Sequence, residues 1–392
     1  MKFHVIGIGN KKLSLSQEME RLVKQHSCFS GGERHYQLVK HLLPEHHSWV
    51  AVKSPLEEVY RKYDETEQDI LVFASGDPLF YGYSNTLKNR YPKAQIYTYP
   101  YFSSIQLLAS KAGLNSNELR TVSVHGRTWA DLDEAIIRQE PLVGVLTDQG
   151  KSPAAIAAYL LRYGYSNYTV YLGEDLEGEH EKVEHISLQE LSLKKAYSLN
   201  CLILKKEEHR NVPFGIPDEE FKGLPERPNM ITKMAVRLSS LHYLDLGNKK
   251  VLWDLGFCTG SLSIEAKLRF PKLEIYAFEK REECGELIQR NQEKFGSTGI
   301  NSIIQDIYEL DFSAYPKPEA VFIGGHGGRL PELIEKLNAY VSVGTSIVIN
   351  AVQESSFEEF TQSCVQMGWS LEHPVQIRID QHNEITILKA VK

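Results

Sequence analysis

Residues 250–260 read KVLWDLGFCTG: an apolar run ending at Asp254-Leu255-Gly256, then a second glycine at Gly260. Short apolar runs that end in glycine and lead into a helical pattern read as strand, turn, helix. The pattern continues in both directions. Ser261–Phe270 is a helical stretch stopped by Pro271, and Leu273–Phe278 is a strand followed by Glu279. Arg281–Phe295 reads as a helix ending at Gly296, and Ser302–Ile304 is a short strand before Asp306. Two more buried strands follow, Ala320–Ile323 and Ser346–Val352. Alternating strands and helices predict a parallel sheet covered on both faces. Val375–Ile379 and Glu384–Val391, separated by Asp380, Gln381, His382 and Asn383, predict a hairpin whose antiparallel strand closes one edge.

The first half alternates too. Strands are expected at Phe3–Ile8, Ile70–Ala74, Gln95–Tyr99, Leu142–Leu146, Thr169–Leu172 and Cys201–Leu204, with helices at Ser104–Ala112 and Pro153–Arg162. Between the halves lies a polar segment carrying Pro213, Pro217, Pro225 and Pro228, which reads as an exposed connector. The expected division is therefore a domain over 1–206, a linker over 207–227 and a domain over 228–392.

Lys+Arg total 44 against 51 Asp+Glu, a net charge of -7 in 392 residues. That balance argues against a general nucleic-acid binder while allowing a local basic cleft. The five cysteines are scattered and never spaced as CxxC, which predicts neither a disulfide framework nor a metal site. The start, MKFHVIGIGN, reads as a strand entering a glycine turn rather than a signal peptide, and no apolar run is long enough to span a membrane. A cytoplasmic setting is expected.

The chemistry sits at strand ends. Gly256 and Gly260 permit a tight turn and close backbone approach to a ligand, and the following helix offers free N–H groups to a carboxylate. Glu279, at the end of the next strand, is placed to hold the two hydroxyls of a ribose. Asp306 is a candidate acceptor for an adenine amine. The G-x-G-x-x-G pyrophosphate fingerprint is absent, and the D-x-G-x-x-x-G form resembles class I S-adenosylmethionine-dependent methyltransferases. A strand–turn–helix without a ligand is the alternative. The D/N-P-P-Y/F motif of amino-methylating nucleic-acid enzymes is missing. In its place stands Ile323-Gly324-Gly325-His326-Gly327-Gly328-Arg329, an open backbone able to lie near a large planar ligand. His326 and Arg329 are candidates to pair with carboxylates. Lys233 and Arg237, four apart, share one helix face: a solvated basic face, or one that meets an acidic substrate.

Taken in order, Thr232-Lys233…Arg237, LWDLGFCTGSLSIEA, YAFEK, PEAVFIGGHGGRLPELI and VINAV resemble the decarboxylating C-15 methyltransferase family of corrin biosynthesis. In the first half, Gly31-Gly32-Glu33-Arg34-His35, Ala74-Ser75-Gly76-Asp77-Pro78-Leu79-Phe80-Tyr81-Gly82, Ser103-Ser104-Ile105-Gln106 and Ser123-Val124-His125-Gly126-Arg127 resemble the C-5 methyltransferases of the same pathway. Leu146-Thr147-Asp148 and Gly173-Glu174-Asp175-Leu176 fit the same family. These belong to the class III, tetrapyrrole-type methyltransferases. A fusion of the two resembles the precorrin-6Y C(5,15)-methyltransferase (decarboxylating) family. Four departures stand out. Cys258 occupies a usual glycine, and Ala235 a usual acid. Asn10-Lys11-Lys12 replaces the end of a G-I-G-P-G loop, and Tyr101-Phe102 interrupts P-G-x-S-S.

The resemblance implies a class III fold followed by a class I Rossmann-like fold. It implies S-adenosylmethionine bound in the first half by Gly7, Gly9, Gly76, Asp77, Phe80, Ser103 and Ser104. In the second half it implies Thr232, Asp254, Gly256, Thr259, Gly260, Glu279, Asp306 and Gly324 as cofactor residues. Arg34, His35, His125 and Arg127 would clamp tetrapyrrole carboxylates, and Lys233, Arg237, His326 and Arg329 would position the substrate of the second half. The implied reaction is methylation of a precorrin at C-5 and C-15 with loss of the C-12 acetate carboxyl, by a homo-oligomer without metal, nucleic-acid or membrane partners. An RNA methyltransferase, and a fusion with one non-catalytic half, are the rival readings.

Overall fold

The computed structural model describes residues 1–12, 15–227, 230–379 and 384–392, and falls into two units. The first gathers Met1–Arg127, Pro141–Ala158 and Tyr168–Glu207; the second gathers Thr128–Glu140, Tyr159–Asn167 and Glu208–Lys392.

The first unit holds two sheets. Strands β1 (Lys2–Ile8), β2 (Cys28–Gly31), β3 (Ser48–Ala51), β4 (Ile70–Ser75) and β5 (Gln95–Tyr99) form a wholly parallel sheet in the order β3-β2-β4-β1-β5. Alternate residues of its central strands feed opposite layers: Phe3, Val5, Ile70 and Val72 enter one core, Ile6, Ile8, Leu71 and Phe73 the other. Burial on both faces explains why these strands are nearly continuous apolar runs. The second sheet comprises β6 (Leu119–Ser123), β7 (Leu142–Leu146), β8 (Tyr168–Glu174), β9 (Lys182–Ser187) and β10 (Asn200–Lys206), ordered β6-β7-β10-β8-β9. Only β6 and β7 run parallel there; the other pairs are antiparallel. The helix Ser104–Lys111 packs closely on β7, because a side chain at Gly144 would come within 2.4 Å of Ile105.

The second unit carries β11 (Val251–Leu255), β12 (Glu274–Glu279), β13 (Ile300–Ile304), β14 (Ala320–Ile323), β15 (Ser346–Ala351), β16 (Ser370–Leu371), β17 (Val375–Ile377) and β18 (Ile385–Val391). The order is β13-β12-β11-β14-β15-β18-β16, parallel from β13 to β15, with β18 antiparallel and also paired to β17. The expected hairpin arms are thus β17 and β18; the expected turn at 380–383 lies outside the described residues. Strand order reverses between β11 and β14, the kind of switch point where α/β sheets open a crevice beyond their strand ends. The connector is not exposed throughout. Ile216, Phe221 and Leu224 are buried in the same core as Leu252, Ile275 and Phe322. The helix Ala130–Ile137 also belongs to this unit, where Tyr159 donates to Asp133 and Tyr165 to the carbonyl of Gly296.

Among the described residues no helix is long and apolar enough to cross a membrane, and no cluster of three or more His, Cys, Asp or Glu is placed to hold a metal ion. All five cysteines are buried and free.

Candidate functional site

In the first unit, the carboxyl ends of β1 and β4 meet so closely that a Cβ on Gly7 would lie 2.1 Å from the Gly76 carbonyl. Gly76 itself has φ +59°, a left-handed conformation open to glycine. Beyond these ends lies a cavity of about 410 Å³. Gly9, Gly76, Asp77, Phe80, Ser103 and Ser104 line it, as expected, and so do Arg34 and His35. Gly7 acts behind the wall, through backbone approach. Ser103 is committed locally. Its hydroxyl caps the helix Ser104–Lys111 and its N–H meets the Gln106 side chain, so its role is to fix that helix end. The Asp77 carboxylate accepts from Leu79 N–H and holds the turn.

His125 and Arg127 are not brought to this cavity. His125 Nδ1 bonds the Thr147 carbonyl at 2.8 Å, Arg127 lies over the Tyr81 ring at 5.3 Å, and both are exposed. Their loop is fixed by Asp148, which accepts from Gly126 N–H.

Arg34 and His35 instead converge on Ser75. Arg34 Nη2 donates to Ser75 Oγ at 2.8 Å and His35 Nε2 lies 2.9 Å from the same oxygen. Gly32 N–H donates to His35 Nδ1, so Nδ1 is the acceptor and Nε2 carries the proton. Burial, then the Arg34 charge, pulls the imidazole down to about 4, so it is neutral near pH 7. Ser75 Oγ thus accepts from Arg34 and lies within hydrogen-bond distance of His35, in the lining of the cavity. Arg34 Nη1 donates to Asn10 Oδ1, and Asn10 Nδ2 donates to Asp175 Oδ1. Burial also lowers the pKa of the Arg34 guanidinium, and among the described residues no carboxylate lies within ion-pair distance of it. Such a desolvated cation is suited to an incoming carboxylate. Ser75, Asn10 and Asp175 were not among the expected site residues, although Ser75 lies inside a motif quoted for its glycine and aspartate.

In the second unit, Gly256 (φ +80°) turns the chain after β11 against the glycine loop after β14. A Cβ on Gly256 would meet Gly325 N at 2.7 Å, and one on Gly324 would meet the Gly256 carbonyl at 2.9 Å. Only paired glycines allow two strand-end loops this near. Gly260 (φ +74°) then caps the helix Ser261–Arg269. Cys258 has φ +49°, which gives a physical reason for the glycine usual there; its thiol donates to the Met230 carbonyl at 3.2 Å. Thr259 is buried behind the turn, its carbonyl accepting from Asn291.

Asp254 is wholly buried. One oxygen accepts from Ser263 Oγ at 2.5 Å and the other meets no donor. Burial pushes its carboxyl up to about 7; the Ser263 hydrogen bond opposes this and the Glu279 charge adds to it. Glu279 sits at the end of β12, 4% exposed, and is held below its usual value: burial raises it, and the Arg281 guanidinium outweighs that. Asp306 accepts from Tyr308 N–H and shapes the loop after β13. Tyr308 Oη donates to the carbonyls of His326 and Arg329, and Arg329 stacks on its ring at 3.9 Å while pairing with Glu332. His326 is half-buried; its Nδ1 has no partner, its Nε2 lies 3.4 Å from Ser356 Oγ, and burial lowers its pKa. His326 and Arg329 thus stand on the glycine loop as expected.

Arg237 does not reach a substrate. It is wholly buried, donating from Nε to Glu265 at 2.7 Å, from Nη1 to Asp218 and the Thr232 carbonyl, and from Nη2 to the Ile216 carbonyl, with Phe221 against its face. It ties down the backbone at Ile216 and at Thr232 instead. Thr232 enters this network through its carbonyl, and Lys233, partly exposed, lies 3.9 Å from Asp218.

Residues 2–192 match the family model described as tetrapyrrole (corrin/porphyrin) methylases, and residues 226–390 match the precorrin methyltransferase domain. A Sinorhizobium protein named precorrin-6Y C(5,15)-methyltransferase [decarboxylating] is 32% identical over 96% of this chain and 89% of its own length. The halves also match separately. A Salmonella typhi cobalt-precorrin-6B C(15)-methyltransferase (decarboxylating) is 31% identical over 38% of this chain and 76% of its own. A Salmonella typhimurium cobalt-precorrin-7 C(5)-methyltransferase is 30% identical over 36% of this chain and 68% of its own. With family models matching both halves and a relative 32% identical across 96% of it, the chain belongs to the precorrin-6Y C(5,15)-methyltransferase (decarboxylating) family.

Proposed function

We propose that this chain methylates a precorrin at C-5 and C-15 and removes an acetate carboxyl, each half using S-adenosylmethionine, within cobalamin biosynthesis. The full-length match to a protein named for both methylations carries this reading. The residues fit the cofactor. Gly256 packs directly against the Gly325 backbone and keeps both strand-end loops free of side chains where they meet, and Asp254, two residues earlier, keeps a buried oxygen without a donor. When bound, S-adenosylmethionine supplies an electrophilic methyl group on a sulfonium.

The chain's own task is alignment. An oriented pair of reactants gains up to about 7–11 kcal/mol over free encounter. In the first half, Arg34 and Ser75 offer N–H and O–H groups to substrate carboxylates, and neutral His35 fixes Ser75. In the second, the turn of Gly324–Arg329 offers backbone largely free of side chains, with His326 and Arg329 on it. The electrons left by decarboxylation enter the conjugated macrocycle, so no strong base or nucleophile is required of the protein.

The test is incubation of the full chain with a precorrin substrate and methyl-labelled S-adenosylmethionine, read by mass spectrometry. Two labelled methyl groups gained and one carbon dioxide lost are expected. Gly76→Val should remove only the C-5 methylation, and Gly256→Val only the C-15 methylation and decarboxylation. A single methylation in the wild-type chain would reduce the proposal to one active half.

A further inference from the structure

Glu279 is the acid expected to hold a ribose, yet its carboxylate is already saturated. Oε1 accepts from Lys280 N–H at 2.9 Å, Arg281 N–H at 3.2 Å and Arg281 Nε at 3.0 Å. Oε2 accepts from Cys258 N–H at 3.2 Å and Arg281 Nη2 at 2.7 Å. Two carboxylate oxygens offer about four lone-pair positions. Five donors leave none for a pair of hydroxyls.

These donors differ in kind. Three are backbone N–H groups locked into the turn after β11 and the end of β12. The remaining two belong to a single guanidinium on a side chain that is 28% exposed. Its third nitrogen, Nη1, rests on Met230 Sδ at 2.9 Å. Met230 in turn accepts the Cys258 thiol through its carbonyl. Arg281 therefore lies across the acid, and the Met230 segment lies across Arg281. Only Arg281 can leave without unfolding a strand end.

We propose that Arg281 competes with the ribose diol of the cofactor for Glu279, and that cofactor entry displaces its guanidinium. The proposal rests on the reading of this half as an S-adenosylmethionine site. Its consequence runs against the usual effect of deleting a charged residue at a binding site. In Arg281→Ala the carboxylate keeps its three backbone donors and exposes the edge that two hydroxyls would satisfy. Binding then no longer requires an ion pair to break. In Arg281→Lys the charge stays but the two-pronged contact is lost.

The experiment is calorimetric titration of the full chain with S-adenosylhomocysteine. Gly256→Val identifies which binding event belongs to the second half. In Arg281→Ala that event should tighten about twofold to fivefold, the worth of one partly exposed ion pair, while the other event is unmoved. Arg281→Lys should fall between. Titration with the 2′-deoxyribose form of the ligand should show the gain shrink, because it then has one hydroxyl fewer for the freed acid. Unchanged or weaker binding at that site in Arg281→Ala, with the wild-type event intact, would overturn the competition alone. A wild-type chain with no event sensitive to Gly256→Val would overturn the cofactor reading of this half and the competition with it.

Discussion

Arg237 Nε stands 2.7 Å from Glu265 Oε2, with the arginine wholly buried and the glutamate 3% exposed. The same carboxylate's other oxygen accepts from Gly215 and Ile216 N–H. Removing one member of a buried, fully bonded pair leaves the other uncompensated, at a cost of about 3–5 kcal/mol. Arg237→Ala should therefore lower the unfolding free energy of the second unit by that amount, read from urea melts as an earlier midpoint. A variant as stable as wild type that had lost only substrate affinity would return Arg237 to a recognition role.

Ser75→Ala should weaken the precorrin in the first half while sparing the second. The lost hydroxyl strands donors of Arg34 and His35 and removes a polar group from the cavity lining. A loss of about 1–2 kcal/mol corresponds to a KM raised roughly tenfold for C-5 methylation. Ser75→Thr keeps the hydroxyl and should recover most of it. Equal KM values for Ser75→Ala and wild type would remove Ser75 from substrate contact.

His35 contributes a pH dependence of definite sign. Its native value of about 4 lies below the 6.5 of an unperturbed imidazole. Between those values the unfolded chain binds a proton that the native chain does not, so stability falls as the pH falls through that window. The slope approaches about 1.4 kcal/mol per pH unit at its steepest. His35→Gln should flatten this part of the stability profile, measured by denaturant melts across the window.

Asp254 works in the opposite direction. Its carboxyl stands near 7 in the native chain against 3.8 unperturbed. Over that interval the native state holds a proton the unfolded chain releases, so this residue makes stability decline as the pH rises, again by at most about 1.4 kcal/mol per unit. Asp254→Asn should remove the decline. A profile for Asp254→Asn parallel to that of wild type would show that the acid is ionised in the fold.

Cys258 at φ +49° carries a strain that glycine lacks. Cys258→Gly should gain about 1 kcal/mol of stability and leave cofactor affinity in the second half unchanged. Loss of affinity in that variant would mean that the thiol's contact with the Met230 carbonyl shapes the site.

Much of this was legible because strand ends and glycine turns are local. KVLWDLGFCTG specifies β11 and its turn within eleven residues and ends on Gly260, which the structure places at the cap of the following helix. What failed to show was whatever depends on distant partners. Spacing put Lys233 and Arg237 on one face, but the groups that cover it, Asp218 and Glu265, lie far along the chain on either side. Residue spacing reports a direction, not whether something is packed there. Arg281 was hidden for a different reason: a cation two places after an acid reads as solvated until its guanidinium is seen lying on that carboxylate. The unmarked strands were short or at an edge. β2 and β3 have four residues each, while β6 and β9 are edges with mixed polar faces that lack the apolar continuity of central strands.

Two departures from the family pattern in the first half meet on a single acid. Lys11 Nζ lies 2.9 Å from Glu177, Tyr101 Oη donates to the same carboxylate, and that carboxylate rests where a side chain on Gly9 would go. The altered loop and the altered P-G-x-S-S segment are therefore one change written in two places, with Glu177 as its hinge pin. Transplanting the usual proline–glycine loop into this chain would take the Lys11 charge from the Glu177 carboxylate beside Gly9 and leave it bonded to Tyr101 alone. The rim beside Gly9 is thus held by three residues scattered over 167 positions, Lys11, Tyr101 and Glu177, and a change at one alters the contacts of the other two.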